Sequence, residues 1–339
     1  MIKNAKNCPY RCGFGNANLC SRLPEKDIDM RHLRILTLVD AVARTGSVRG
    51  AAEQLNFTAS ALTRRIQDLE AELGVVLFER TSRGMRPTTA GHMFLSHARE
   101  QLAEAERLKS GLEDLQGLRR GKVRIACSQA VAADFMPKAI GTFRREYPLV
   151  DFEVRVVDHE QAAMALASYD VDIGLVFSPG ALPDFQCLAL LEQHLVALLP
   201  RDHMLSRNTT LRLHDCAAHP VALPDRSTGG RQLLDAFSAQ TGFSFEVAVE
   251  SNSFEFLRQS VVQSGLVSFQ IDVGAPRDAK DPDIVIRKID RRDAPPADLM
   301  LGKLQGRNLP QISTTFAEHV IAGMAAMQDG ASAFSTIIS

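Results

Sequence analysis

The side chains best suited to chemistry in this chain are hydroxyl groups and arginines concentrated between residues 47 and 86. Hydroxyls and free amides at helix N-termini bind phosphate oxygens, and arginine reads guanine through paired hydrogen bonds. The pattern therefore predicts a helix that enters the major groove of DNA, followed by a basic wing that holds the backbone. The candidate DNA-binding residues are Ser47, Thr58, Ala59, Ser60, Thr63 and Arg64, then Arg80, Arg83 and Arg86 of the wing.

Within this set Arg64 is the best candidate for reading a base, since arginine to guanine is the commonest specific contact. Ala59 has no polar side-chain atom and can reach only a thymine methyl group. Each arginine taken alone could instead be an ordinary solvated surface charge. Their placement around one helix-turn-helix favours the DNA-binding interpretation.

Three short helices and a hairpin must position these residues. Gly46 and Gly74 can end helices in the left-handed conformation, while Ser47 and Thr58 can cap the helices that follow them. Apolar residues recur at helical spacing in each segment. The predicted elements are helices over 31–44, 48–55 and 58–73, then strands over 77–81 and 85–87.

The net charge of −1 over 339 residues conceals a local excess. Between Met30 and Gly91 there are nine Arg residues against six Asp and Glu residues, an excess of three positive charges. Arginine suits two-pronged contacts to phosphate and guanine. The balanced total argues against a general DNA-compacting protein and favours one local nucleic acid-binding surface.

A long helix is predicted from Thr88 to about Gln116. Its apolar residues are spaced three or four apart, nearly a heptad seam with charged flanks, which favours pairing with a second copy. The alternative is an amphipathic helix packed on its own domain. The seam comprises Leu95, Ala98, Leu102, Ala105, Leu108, Leu112 and Leu115.

From Lys122 onward the pattern changes to strands alternating with helices, after a hinge at 117–121. Such alternation predicts parallel sheets covered by helices. We expect two α/β halves joined by crossing segments near 178–190 and 270–300.

The residues and their order resemble those of the LysR-type transcriptional regulators over about 30–328. The specific part is the DNA-binding segment, with Gly46-Ser47, Ala51-Ala52, Leu69-Glu70 and Leu77-Phe78-Glu79-Arg80 where the family has them. Later matches are Gly121–Ile125, Asp170-x-Asp172-Ile173-Gly174-Leu175 and the Gly265-Leu266 turn. The resemblance implies a winged helix-turn-helix, mainly α with a β-wing, then a long linker helix and an α/β effector domain. That domain would have two Rossmann-like subdomains, similar to periplasmic solute-binding proteins.

The resemblance also implies a small-molecule site in the cleft between those subdomains. Hydroxyls and helix N-termini suit a carboxylate, and Arg226 would add positive charge. These residues could alternatively be ordinary loop-capping groups. The positions implied are Ser128, Gln129, Ala130, Phe177, Ser178, Arg226, Ser227, Thr228, Ser268 and Gln270.

No catalytic or metal motif stands out in the sequence, and no cofactor is expected. Cys8, Cys12 and Cys20 could belong to a zinc site, but a fourth ligand and tight pairing are lacking. The first 29 residues are instead interpreted as a disordered tail or as the result of a start codon assigned too early. The thiols of Cys127, Cys187 and Cys216 allow redox sensing in principle, but a lone cysteine at a strand end is usually a small core residue.

The expected organisation is a tail over 1–29, a DNA-binding domain over 30–89, a linker helix over 90–117, an effector domain over 121–328 and a second tail over 329–339. No run reaches the roughly 18 apolar residues of a spanning helix, and no signal-peptide core is evident, which favours a cytoplasmic protein without a membrane partner.

The leading hypothesis is a regulator that binds operator DNA as a homodimer or homotetramer under control of an organic acid or aromatic effector. The rival is an α/β solute-binding protein or enzyme whose first helices serve only oligomerisation.

Overall fold

The computed structural model describes residues 33–335, apart from 83, 116–119, 179, 181 and 276–281. The predictions made for the first tail, for Arg83 and for most of the 117–121 hinge lie outside the described residues. Two domains follow one another along the chain, joined by one long helix.

The N-terminal domain is a three-helix bundle with a two-stranded wing, and sequence-local signals set its boundaries. Gly46 and Gly74 have φ angles of 61° and 68°, which end the first and third helices. Ser47 accepts a hydrogen bond from the Gly50 amide and caps the start of the second helix, and Thr58 accepts one from the Ala61 amide and caps the start of the third. The elements are α1 (Arg34–Thr45), α2 (Val48–Gln54), α3 (Ala59–Leu73), β1 (Phe78–Thr81) and β2 (Gly84–Pro87).

Helix α4 (Thr89–Leu115) leaves this bundle and leads to the second domain. Its first half belongs to the N-terminal core, because Leu95 and Ala98 are buried at 3% and 0% exposure. Leu108, Leu112 and Leu115 are instead exposed at 52%, 45% and 86%. The predicted seam therefore divides into a half that packs within its own domain and a half that is open to a partner.

The second domain consists of two subdomains, each built on one sheet. Subdomain I has five strands in the order β4-β3-β5-β13-β6, and subdomain II has six in the order β10-β9-β11-β7-β12-β8. The strands of subdomain I are β3 (Arg120–Cys127), β4 (Leu149–Val156), β5 (Ile173–Ser178), β6 (Phe185–Gln193) and β13 (Ala297–Leu304). Those of subdomain II are β7 (Leu195–Pro200), β8 (Thr210–Leu211), β9 (Val221–Pro224), β10 (Val247–Ser251), β11 (Val267–Ile271) and β12 (Ile284–Ile289).

Within the described residues, seven α-helices accompany the sheets, and each subdomain has its own apolar core. The last helix closes subdomain I through buried residues that include Phe316 and Val320. The helices are α5 (Gln129–Ala132), α6 (Phe135–Glu146), α7 (His159–Ala167), α8 (Leu213–Cys216), α9 (Gly229–Thr241), α10 (Phe254–Ser264) and α11 (Gln311–Ser335).

Two expectations about the sheets were wrong. The sheets are mixed rather than parallel, because β13 runs antiparallel to β5 and β6, and β7 runs antiparallel to β11 and β12. The crossings are also shorter than expected: β6 ends at Gln193 and β7 begins at Leu195, while the return spans 290–296. Both antiparallel strands arise because the chain passes straight from one sheet into the other.

Candidate functional site

The N-terminal face of α3 is open to solvent. Ala59, Ser60, Thr63 and Arg64 are all exposed, while Leu62 and Ile66 on the opposite face are buried. The Thr63 hydroxyl donates to the Ala59 carbonyl over 2.8 Å, so its methyl group and oxygen lie close to the helix surface. The short side chains on this face of α3 therefore allow the helix to come close to base edges in a DNA major groove.

Arg64 and its neighbour Arg65 have different surroundings. The Arg65 guanidinium lies 5.7 Å from the centre of the Phe57 ring, and Arg34 lies 5.0 Å from the same ring. Among the described residues Arg64 has no ion-pair partner. A partner outside the domain is therefore open to Arg64, whereas Arg65 is partly held by a cation–π contact.

The wing is fixed to the turn between α1 and α2. The Met85 amide donates to the Gly46 carbonyl over 2.8 Å. A Cβ atom on Gly84 would lie 2.5 Å from that carbonyl oxygen, and Gly84 has a φ of 120°, so only glycine fits. Arg80 and Arg86 are exposed on the two strands, and Glu79 is paired in register with Arg86.

A second close contact fixes the start of α4 against the wing. A Cβ atom on Gly91 would lie only 2.0 Å from the Leu77 carbonyl oxygen. Thr88 accepts a hydrogen bond from the Gly91 amide over 3.0 Å and donates to the Val76 carbonyl over 2.7 Å. The linker helix therefore leaves the wing in one defined direction.

A cavity of about 280 Å³ lies between subdomains I and II. Seven of the ten positions implied by the resemblance line it, and several residues that sequence reasoning missed complete the wall. The lining residues foreseen are Ser128, Gln129, Ala130, Phe177, Ser227, Thr228 and Gln270. Those not foreseen are Val156, Val157, Asp158, His159, Gln161, Pro224, Asp225, Gly229, Gly230, Asn252, Phe254 and Ile271.

The other three expected positions lie outside the cavity. The Ser178 hydroxyl donates to the Gly180 carbonyl over 3.0 Å, and the Ser268 hydroxyl donates to the Ala222 carbonyl over 2.7 Å. Arg226 is exposed to solvent because Asp225 folds the loop tightly, accepting hydrogen bonds from the Ser227 amide and hydroxyl. The positive charge expected from Arg226 is therefore absent from the described cavity wall.

The wall instead contains two carboxylates and one imidazole. Asp158 caps α7 by accepting from the Gln161 amide over 2.8 Å, and Asp225 holds its own turn, so both carboxylates are partly engaged. The N-termini of α7 and α9 both lie at the cavity, where their free amides favour electron-rich ligand atoms.

Two buried polar atoms at this wall have no partner within the described part of the chain. They are the hydroxyl oxygen of Ser128 and the Nδ1 atom of His159, a side chain exposed by only 7%. A buried polar atom without a hydrogen bond is costly. Both atoms belong to residues that line the cavity, so rotation of either side chain would bring a hydrogen-bonding atom to the cavity surface.

The cysteines of the described chain do not form a reactive group. Burial raises the pKa of the Cys127 thiol and of the Cys216 thiol to about 12 in each case. Burial also raises the pKa of Cys187, which is exposed and donates to the Ala189 carbonyl. Since the thiolate is the reactive form, none of the three resembles an activated sensor thiol.

Among the described residues there is no group of three or more His, Cys, Asp or Glu side chains that could hold a metal ion. A search of the same residues for a helix long and apolar enough to cross a membrane found none.

A winged helix-turn-helix, a linker helix and a cleft between two α/β subdomains together define a ligand-responsive DNA-binding regulator. Comparison with protein-family models gives the same result. Residues 33–92 match the bacterial regulatory helix-turn-helix of the lysR family, and residues 116–325 match the LysR substrate binding domain. The chain belongs to the LysR family of transcriptional regulators and is a DNA-binding transcription factor rather than an enzyme.

Individual proteins agree with this assignment. A probable RuBisCO transcriptional regulator of Cyanophora paradoxa is 32% identical over 260 residues, which is 75% of this chain and 79% of that protein. The structure of a full-length OxyR variant from Pseudomonas aeruginosa has a TM-score of 0.65 at 17% identity, over 85% of this chain and 97% of that one. The effector-binding domain of QuiR in complex with shikimate has a TM-score of 0.52 at 15% identity, over 60% of this chain and 96% of that one. These structures establish the fold.

Proposed function

We propose that the exposed face of α3 reads operator bases in the major groove while the wing contacts the backbone. Arg64 is the principal base-reading residue, supported by its lack of an ion-pair partner among the described residues. Thr58, Ala59, Ser60 and Thr63 complete the reading face, and Ser47, Arg80, Arg83 and Arg86 contact phosphates.

The cavity between the subdomains is proposed as the effector site. The observation that supports this assignment best is the pair of unpartnered buried atoms, on Ser128 and His159, at one cavity wall. Helix N-termini favour an acidic or hydroxyl-bearing ligand, and Phe177 and Phe254 offer apolar ring surface. The volume of about 280 Å³ limits the effector to a small molecule. QuiR, whose effector domain is similar, is described in complex with shikimate, a compound of this class.

We further propose that the protein works in the cytoplasm, where it meets the chromosome, and that it pairs through the exposed half of α4. Leu108, Leu112 and Leu115 form an apolar stripe at the end of that helix. A helix-turn-helix that binds two half-sites requires a dimer, and pairing through the effector domains would extend the dimer to a tetramer.

The operator can be found by footprinting the protein, over a range of salt concentrations, on the DNA upstream of its own gene. Protection repeated at whole helical turns, about 34–36 Å apart, is expected for a dimer on paired half-sites. A uniform, sequence-independent protection that vanishes with modest salt would contradict specific reading by α3.

The cavity assignment is tested with two serine variants. Shikimate and benzoate serve as probes in calorimetric titrations of the full chain. Ser128→Ala should weaken binding of an active probe at least fivefold, since it removes a hydrogen-bonding group at the wall. Ser178→Ala is the matched control, because that serine is buried at the end of a neighbouring strand but lies outside the cavity. Equal effects of the two variants would rule out the proposed site.

A further inference from the structure

One ion pair joins the DNA-binding domain directly to the effector domain. Arg44, in the last turn of α1, contacts the Asp170 carboxylate through its Nη1 atom. Asp170 lies in the effector domain, between α7 and β5, and its side chain is 22% exposed. The two groups are 126 residues apart in sequence, so the contact reflects how the two domains are placed.

Arg44 is itself held in position within the DNA-binding domain. Its Nε atom donates to Asp40 over 2.5 Å, and Arg99 of α4 donates to the same carboxylate over 2.7 Å. Asp40 is a buried residue on a helix whose neighbouring residues are apolar and buried. Gly46, two residues after Arg44, carries the carbonyl that anchors the wing. A displacement of Arg44 therefore moves α1, the wing and the linker helix together.

Asp170 is equally firmly attached to α7. Tyr169 has a φ of 59°, which turns the chain back at the helix end, and the Asp170 amide donates to the Ala165 carbonyl over 2.9 Å. The Asp170 carboxylate also accepts from Ser168 over 3.0 Å and lies 3.5 Å from the Arg155 guanidinium. Asp170 thus moves as part of the C-terminal end of α7.

The opposite end of α7 forms part of the effector cavity. His159, its first residue, and Gln161 line the wall, and Asp158 caps the helix there. With nine residues, α7 spans about 13 Å at 1.5 Å per residue. One short helix therefore connects the cavity wall with the only ion pair in the described chain that joins α1 to the effector domain.

The interface between the DNA-binding domain and the effector domain contains an open space next to the Arg44–Asp170 pair, so the two domains have room to shift relative to each other. A second cavity of about 240 Å³ lies there, lined mainly by charged side chains. A separate ion pair, between Arg124 of β3 and Glu106 of the linker helix α4 at 2.9 Å, also lies at this cavity. Domains held by ion pairs around a cavity can shift relative to each other more easily than domains held by a close-packed core.

We propose that α7 and the Arg44–Asp170 pair transmit the state of the effector cavity to the DNA-binding domain, with Asp170 as the positioning residue. The regulatory meaning of this connection rests on the proposed effector site, whereas the mechanical connection can be tested without any effector. A change at the N-terminal end of α7 should alter DNA affinity only while the ion pair is intact.

The test combines His159→Ala with Asp170→Asn in the full-length protein. Dissociation constants are measured on a duplex enriched from a random DNA pool by the wild-type protein. His159→Ala should change the constant by about two- to fivefold, the range for a partly exposed ion pair, and should have no further effect in the Asp170→Asn background. Arg155→Gln is the matched control background, because it removes a charge next to Asp170 without touching the DNA-binding domain, and the His159→Ala effect should persist there.

An equal effect of His159→Ala in the wild-type and Asp170→Asn backgrounds would overturn the proposal, as would the absence of any effect in the wild type. Gln161→Ala, at an exposed position of the same cavity wall, replaces His159→Ala if thermal melting shows that the latter is unfolded. Background-dependent coupling, together with equal effects of Ser128→Ala and Ser178→Ala on probe binding, would preserve this proposal and contradict the proposed effector site.

Discussion

Replacement of Asp172 by alanine should strongly destabilise the effector domain. Asp172 is fully buried, and it accepts hydrogen bonds from the Arg124 amide, the Ser313 hydroxyl and the Arg307 guanidinium, at 3.0, 3.1 and 2.7 Å. These contacts join the start of β5 to β3, to α11 and to the segment between β13 and α11. Because the Arg307 side chain is only 3% exposed, Asp172→Ala leaves a buried positive charge without its counter-ion.

Breaking a buried ion pair from one side costs about 3–5 kcal/mol. A domain of this size loses about 2–4 °C in melting temperature per kcal/mol, so a decrease of about 6–20 °C is expected. Differential scanning calorimetry of the full-length protein, with the effector-domain transition followed separately, measures the change.

The double variant Asp172→Ala/Arg307→Met separates the ion pair from simple loss of packing. Removing both charges eliminates the unpaired guanidinium, so the double variant should melt well above Asp172→Ala. A double variant at or below the single variant, or a single variant within about 2 °C of the wild type, would refute the electrostatic explanation.

Three further predictions concern the DNA-binding domain. Arg64→Ala should weaken operator binding by about 1–3 kcal/mol and relax base preference at one position, while Arg65→Ala should cost less because Arg65 packs over an aromatic ring; competition binding with single-base operator variants distinguishes the two. Arg86→Ala should weaken binding to all sequences alike and lower the salt slope by about one, and an unchanged slope would remove Arg86 from the interface. Gly91→Ala should displace α4 from the wing, since its Cβ atom would lie 2.0 Å from a carbonyl oxygen, and should lower the melting temperature of the DNA-binding domain; Gly111→Ala, with open space around it, is the control.

The DNA-binding domain could be predicted closely from sequence because its signals are local. Gly46 and Gly74 end helices, Ser47 and Thr58 begin them, and apolar spacing fixes the buried faces. The strands β6 and β12 were missed because they pair with distant strands and lie within the expected crossing segments. Their antiparallel pairing depends on the position at which the chain passes from one sheet to the other. No local sequence pattern indicates that position.

The cavity shows the same division between local and distant information. Ser128 and Thr228 precede helices, a position visible in the sequence, and both line the wall. His159 was missed because it comes close to Ser128 through the pairing of β4 with β3, in which Val156 lies opposite Cys127, and that pairing joins segments distant in sequence. The prediction that Arg226 lies in the site was wrong. It rested on residue type alone, whereas the turn held by Asp225 places Arg226 in solvent.

The contact between Gly46 and the wing also defines what can be exchanged between related proteins. The exposed residues Ala59, Ser60 and Arg64 of α3 do not contribute to the buried core, so they can be transplanted alone to alter operator choice, whereas Thr58 must stay because it caps the helix. The wing cannot be transplanted alone, because its attachment to the α1–α2 turn requires Gly46, Gly84 and the hydrogen bond from the Met85 amide to the Gly46 carbonyl. A chimaera that takes its wing from a related protein must therefore take the α1–α2 turn from the same protein. Natural recombination between related genes is subject to the same restriction.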